Sequence, residues 1–164
     1  MKQVELAWNG IDYDVQIAGP KERTEIFFQG CDKTCEGCFN EEIKEKSMGR
    51  VFNLEDILTI IREKTPQKRI TFGGGEPFLQ EDALHYLTKT LKEEGFHIVV
   101  YTGYYMEEIK DSPVLNYIDM LIDGPFNINQ KLEIYPPDNY VGSSNQRVFE
   151  FRKEWIVAGR MCLL

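Results

Sequence analysis

Three cysteines, Cys31, Cys35 and Cys38, fall within eight consecutive positions, and whatever fold forms must present that run as a loop with three thiols on one turn of chain. A disulfide scaffold is a poor reading of a four-cysteine chain of this size, because clustered thiols in a reducing compartment usually serve metal or redox chemistry. Three thiolates suit a cubane 4Fe-4S cluster with one iron left without a protein sulfur, and that open corner can take a chelating ligand. The alternative is zinc, which is normally held by four Cys or His ligands. No fourth ligand follows at finger-like spacing. The nearest histidine is His85, and the remaining thiol is Cys162.

The chain around this loop changes period. Val4, Leu6 and Trp8 alternate with polar residues, as do Ile11, Tyr13, Val15 and Ile17 beyond Asn9-Gly10; this pattern predicts an N-terminal β-hairpin turning at Asn9-Gly10. Residues 25–29 read as a strand that runs into the cysteine loop. Asn40 is a candidate cap for a short helix, and Asn53 for a second one carrying Leu54, Ile57, Leu58 and Ile61 on one face. Strands are expected at 69–72, 97–101 and 117–122. Helices are expected at about 81–94, closed by Gly95, and at 105–110. Residues 127–146 read as a loop with one short strand, and the apolar tail from Val148 packs on the domain.

Strand–helix alternation at this spacing implies parallel strands joined by crossovers. In such architectures chemistry gathers at the C-terminal strand ends. The Cys31 loop, residues 73–77, Thr102-Gly103-Tyr104 and Asp123-Gly124 all fall there, so one shared mouth is expected. The 164 residues suffice for one domain, and the formal net charge of −8 argues against a broad nucleic-acid or anionic-membrane surface. No apolar run approaches a membrane span, and no secretion-type segment opens the chain, so a cytoplasmic location is expected.

At this point the residues resemble a known family. Phe28-Gln29-Gly30-Cys31 through Cys35, Glu36-Gly37-Cys38 and Phe39-Asn40 resembles the Cys-x3-Cys-x2-Cys loop of radical S-adenosylmethionine (SAM) enzymes. Cys-x-Gly-Cys-Phe-Asn is similar to the small activating proteins of anaerobic (class III) ribonucleotide reductase. Gly74-Gly75-Glu76-Pro77, Tyr101-Thr102-Gly103-Tyr104, residues 119–126 and the Gly142-to-Arg147 segment agree in order. One departure is Ala18-Gly19-Pro20-Lys21, where many activating enzymes carry Asp-Gly-Pro-Gly.

The resemblance implies an α/β fold, an incomplete (partial) TIM-type barrel of parallel strands with the N-terminal β-hairpin, residues 1–164 forming a single radical SAM activase domain. It implies one 4Fe-4S cluster per chain, held by Cys31, Cys35 and Cys38 as metal ligands and catalytic residues, with SAM as cosubstrate. Gly37, Cys38, Phe39, Gly74, Gly75, Glu76, Thr102 and Asp123 would contact SAM: Gly74 and Gly75 by close backbone approach, Glu76 by a charge-assisted hydrogen bond to its ammonium, Phe39 beside the adenine, and Thr102 and Asp123 at the ribose or methionine end. Reductive cleavage would leave a 5′-deoxyadenosyl radical that installs a glycyl radical on the catalytic subunit of anaerobic ribonucleotide reductase. A flavodoxin- or ferredoxin-type protein would supply the electron. Two other readings stand beside this one: activation of a different glycyl radical enzyme, and a zinc-stabilised binding module without catalysis.

Overall fold

The computed structural model describes residues 2–33, 35–38, 49–151, 155–157 and 160–161. Phe39, the short helix expected after Asn40, and Cys162 lie outside the described residues. The strands are β1 (Gln3–Val15), β2 (Arg23–Phe28), β3 (Arg50–Asn53), β4 (Arg69–Gly74), β5 (His97–Tyr101), β6 (Met120–Asp123), β7 (Arg147–Phe151), β8 (Trp155–Val157) and β9 (Arg160–Met161), and the helices are α1 (Leu54–Lys64), α2 (Glu81–Glu93) and α3 (Met106–Ile109). Among the described residues all nine strands form one open sheet in the order β3-β1-β2-β4-β5-β6-β7-β8-β9.

Strands β2, β4, β5 and β6 are parallel neighbours, as the strand–helix alternation requires. The flanking pairs β1/β2, β1/β3 and β6/β7 are antiparallel. The chain is therefore mixed α/β with a parallel centre. Among the described residues no helix is long and apolar enough to cross a membrane.

Local chemistry accounts for the helices. The Asn53 side chain accepts from Glu55 N at 2.8 Å and so caps α1, whose Leu54, Ile57, Leu58 and Ile61 are buried. Gly95, at φ +89°, ends α2 with Gly95 N donating to Lys92 O and Phe96 N to Leu91 O, the paired bonds of a Schellman motif. Leu84, Leu87 and Leu91 of α2 join Ile57 and Ile61 of α1, Met106 of α3, and Ile26, Phe28, Ile70, Phe72, Ile98 and Val100 of the strands in one core. The opposite face of the sheet carries a smaller cluster of Val99, Met120 and Ile122 under Tyr101, Tyr140 and Val148.

The hairpin expected between residues 4–8 and 11–17 does not form: both arms, as far as Val15, belong to β1, which pairs antiparallel with β2 instead. Strand β1 continues through Asn9-Gly10, and its register against β2 slips between Leu6↔Phe28 and Ile11↔Ile26, which makes Ala7 to Gly10 a bulge. A Cβ on Gly10 would fall 2.7 Å from Ala7 O, so only glycine permits this fold-back. Both halves of β1 find the same partner strand, and the reversal to β2 comes at residues 16–22. Strand β6 begins at Met120, later than expected, because Pro113–Tyr117 forms a 3-10 turn whose first free N–H, that of Val114, is capped by Ser112. Strand β3 was not foreseen, and the tail that begins at Arg147 adds β7 as an antiparallel strand on β6.

Candidate active site

The four loops expected to share a mouth do meet. They leave adjacent parallel strands at the same end, and backbone bonds stitch them: Gly75 N donates to Phe28 O at 2.9 Å, Glu76 N to Gly30 O at 2.7 Å, Thr102 N to Ile122 O at 2.9 Å and Gly124 N to Tyr104 O at 2.8 Å. Gly75 sits so close to the entry of the cysteine loop that a Cβ there would lie 2.1 Å from Gly30 O. Gly74 is at φ +98°, and its Cβ would meet Phe28 N and O at 2.6 Å. The two glycines are thus required by close packing of the β4 loop on the β2 loop.

Cys31, Cys35 and Cys38 are all half-buried and none is in a disulfide. Cys38 N donates to Cys35 O at 3.2 Å, closing a turn at Glu36-Gly37 with Gly37 at φ +71°. The Cys31 sulfur accepts from Lys33 N at 3.4 Å. Burial raises the Cys31 thiol above its ordinary value, opposed by that N–H, so a cation that binds thiolate must offset the burial. Among the described residues no three His, Cys, Asp or Glu side chains already converge in ligating geometry. The fit to an iron–sulfur cluster comes from the donor set itself, three soft thiol ligands on one partly exposed loop.

Glu76 is fully buried and joins three segments. One carboxylate oxygen accepts from Gly103 N at 2.6 Å, the other from Phe78 N at 2.9 Å, and the Thr102 hydroxyl lies 2.9 Å from both. Burial pushes its carboxyl up to about 7, against the pull of Phe78 N–H, Gly103 N–H and the Thr102 hydroxyl. Thr102 is itself buried and accepts from Tyr104 N at 3.1 Å. Tyr104 then reaches across the mouth, its hydroxyl donating to Asp32 at 2.6 Å while Lys33 Nζ lies 4.1 Å from its ring centre. Asp32, Lys33 and Tyr104 were not singled out from the sequence as site residues; the signal was Lys33 and Asp32 lying within the cysteine loop.

Asp123 is placed differently from the ribose or methionine contact expected of it. It alternates with Ile122 and so shares the face of Leu121, the helix side of the sheet. It is fully buried, and both its oxygens are committed: to Arg147 N and Nε at 3.1 Å each, Arg147 Nη2 at 2.5 Å and Met106 N at 2.7 Å. Arg147 also forms a two-pronged bond with Glu107 at 2.7 and 2.9 Å, which holds the Glu107 carboxyl down to about 2. In this arrangement Asp123 anchors the strand end that borders the mouth.

The departure at residues 18–21 also has a structural place. Arg23, fully buried, donates to Thr71 Oγ1 at 2.7 Å, Pro20 O at 2.7 Å, Ile70 O at 2.9 Å and His97 O at 3.1 Å, and Thr71 donates to Ala18 O at 2.7 Å. This segment closes the end of the sheet remote from the cysteine loop.

Between the cysteine loop and residues 125–130 lies a cavity of about 450 Å³, lined by Lys33, Cys35 and Glu36 on one side and by Phe126, Ile128 and Asn145 on the other.

Residues 17–149 match a family described as a 4Fe-4S single cluster domain. A protein of Vibrio cholerae named anaerobic ribonucleoside-triphosphate reductase-activating protein is 32% identical over 145 residues, which span 82% of this chain and 92% of that one. A protein of the same name from Escherichia coli strain K12 is 32% identical over 151 residues, 85% of this chain and 96% of its own. The pyruvate formate-lyase-activating enzyme of Clostridium pasteurianum is 35% identical over 94 residues, 54% of this chain and 40% of that enzyme.

Proposed function

Because the chain belongs to the anaerobic ribonucleoside-triphosphate reductase-activating proteins, matched as a 4Fe-4S single cluster domain, we propose that it is an iron–sulfur radical SAM activase whose Cys31, Cys35 and Cys38 hold the cluster. When bound, the reduced cluster supplies the electron that cleaves SAM to a 5′-deoxyadenosyl radical. The partner in this reading is the catalytic subunit of anaerobic ribonucleotide reductase, which receives a glycyl radical; a flavodoxin- or ferredoxin-type protein is the reductant, and the reaction is cytoplasmic, with no role for nucleic acid or membrane.

The single observation that carries the reading is the convergence of the cysteine loop, the Gly74-Gly75-Glu76 loop and Thr102-Gly103 at one end of four parallel strands. Each residue then has a task of its own. Gly74 and Gly75, packed on the backbone of Phe28 and Gly30, bring the backbone of the β4 loop alongside the cosubstrate. Glu76, held by Thr102, Gly103 and Phe78, offers carboxylate to the methionine ammonium. Gly37, Cys38 and Phe39 line the adenine end, and Asp123 acts at the ribose end by way of the strand terminus it anchors. The packing of α1, α2 and α3 in one core against the sheet supports an incomplete TIM-type barrel, the whole chain working as one activase domain.

The test is anaerobic reconstitution with iron and sulfide, then reduction in the presence of SAM and the reductase subunit. Four-iron absorbance, SAM cleavage and a glycyl-radical signal by electron paramagnetic resonance are expected. Replacing Cys31, Cys35 or Cys38 by Ala should abolish all three, and Cys162→Ala should leave them intact. A chain that takes one zinc, refuses iron and leaves SAM whole overturns the reading. The 35% identity to a pyruvate formate-lyase-activating enzyme favours, as second reading, a different glycyl radical partner. A radical appearing on that enzyme and not on the reductase would establish it.

A further inference from the structure

Of the segment from Gly142 to Arg147, Ser143, Asn145 and Gln146 have no role in the chemistry above, yet their side chains do one coordinated thing. Each grips a different backbone group of the strap that follows Asp123. Gln146 Nε2 donates to Gly124 O at 2.9 Å. Asn145 Nδ2 donates to Pro125 O at 2.8 Å and to the Tyr105 hydroxyl at 3.1 Å. The Ser143 hydroxyl accepts from Asn127 N at 3.1 Å and donates to Asn145 Oδ1 at 2.6 Å. Gln146 Oε1 in turn accepts from Gly142 N at 2.8 Å and Ser143 N at 3.1 Å, which keeps the gripping segment itself in shape. Ser143 is fully buried.

What the strap touches gives the grip its meaning. A Cβ on Gly37 would stand 2.7 Å from Ile128 Cδ1 and 3.6 Å from Phe126 Cε1, so the strap lies directly on the turn between Cys35 and Cys38. The strap and that turn are the two walls of the 450 Å³ cavity, and both Cys35 and Asn145 line it.

We propose that Ser143, Asn145 and Gln146 are positioning residues that clamp residues 124–128 onto the Gly37 turn and thereby set the width of the cofactor cavity beside Cys35. The clamp acts through the strap and not by touching the reacting atoms. Its polar groups are matched one to one with Gly124 O, Pro125 O and Asn127 N, so loss of one partner releases one stretch of strap and leaves the sheet in place. The link to cofactor binding rests on the cluster assignment above; the mechanical part does not.

The experiment uses the full chain in two states. In the iron-free state, alkylation of each cysteine is followed by mass spectrometry for wild type, Asn145→Ala, Asn145→Asp and Gln146→Ala. Asn145→Asp keeps the acceptor for Ser143 but loses both Nδ2 donations, so it should behave like Asn145→Ala. Cys35 should label about tenfold faster than in wild type, the scale expected for losing one or two hydrogen bonds, while Cys31 changes little. In the reconstituted state the KM for SAM should rise by about tenfold with kcat within about threefold. Unchanged Cys35 labelling in folded variants overturns the proposal. So does an equal rise at Cys31 and Cys35, which indicates general loosening, and Gln146→Ala supplies the answer if the Asn145 variants fail to fold. Failure of wild type to take up iron refutes the cluster assignment and leaves the labelling result standing.

Discussion

The hydroxyl of Thr102 lies 2.9 Å from both carboxylate oxygens of Glu76, which ties the loop after β5 to the loop after β4 inside a site where both residues are buried. Among the described residues Thr102 is the one side-chain donor to that buried carboxyl; the other two donors, Phe78 N and Gly103 N, are backbone. Thr102→Val keeps the shape and removes the donor. It should destabilise the chain by about 1–3 kcal/mol and move the Glu76 carboxyl above its value of about 7, because a bond to the charged form is lost. Denaturant unfolding and carboxyl-carbon titration by NMR measure the two effects. An unaltered Glu76 titration would contradict the coupling.

Gly75 and Gly103 both line the mouth, but their surroundings differ. A Cβ at Gly75 meets backbone, Gly30 O at 2.1 Å, whereas one at Gly103 meets the flexible Lys33 side chain at 3.0 Å. Gly75→Ala should cost about 3 kcal/mol or more through overpacking and lower the iron content after reconstitution, since the entry of the cysteine loop must shift. Gly103→Ala should stay within about 1 kcal/mol of wild type. Thermal melts with iron analysis compare the pair, and equal tolerance at both positions would show that the two loops are not packed as described.

Arg147 faces one buried carboxylate, Asp123, and one exposed carboxylate, Glu107. Removing the cation leaves Asp123 charged and buried with two backbone donors, Met106 N and the N–H of residue 147 itself. Arg147→Met should therefore cost about 3–5 kcal/mol, and Glu107→Gln less than about 1 kcal/mol. Urea midpoints read both, and similar losses for the two variants would contradict the difference in burial.

Glu25 lies on the face of the sheet opposite the large core, near Gly73, with its Oε1 3.5 Å from where a Gly73 Cβ would stand. Burial, and then repulsion from Asp12, raise its carboxyl to about 7, with Arg23 opposing. A folded value above the ordinary 4.5 means that the folded chain holds the proton more tightly. The associated stability is fully present below pH 4.5 and is lost as pH rises from there through about 7. Glu76 titrates in the same window with the same sign, so the comparison must be with Glu25→Gln. That variant should gain about 3 kcal/mol relative to wild type between pH 4.5 and pH 8. Parallel stability curves for the two proteins would sink the assignment.

Much of the architecture was open to reading in advance. The Asn53 cap, the Leu-Ile stripe of α1, the Gly95 stop of α2 and the apolar runs of β4 and β5 are interactions among residues within a turn or two of one another. The meeting of four loops at one mouth followed from parallel crossovers alone. Asn9-Gly10 misled for the opposite reason: a turn-forming pair also suits a bulge, and the choice was made by β2 accepting both halves of β1. Thr102 was expected near the cosubstrate and proves to act on Glu76, a partner 26 positions away.

Taken alone, the amino-acid order determined the parts: capped amphipathic helices, buried strands and three thiols at a spacing that suits one cluster. Tertiary structure decided the partners. Arg23 is sealed among carbonyls of three segments, and Asp123 is neutralised by Arg147, 24 residues away. Periodicity and capping depend on near neighbours and are written locally, whereas the pairing of a buried charge is set by what excludes water from it, and that is known only once distant segments have packed.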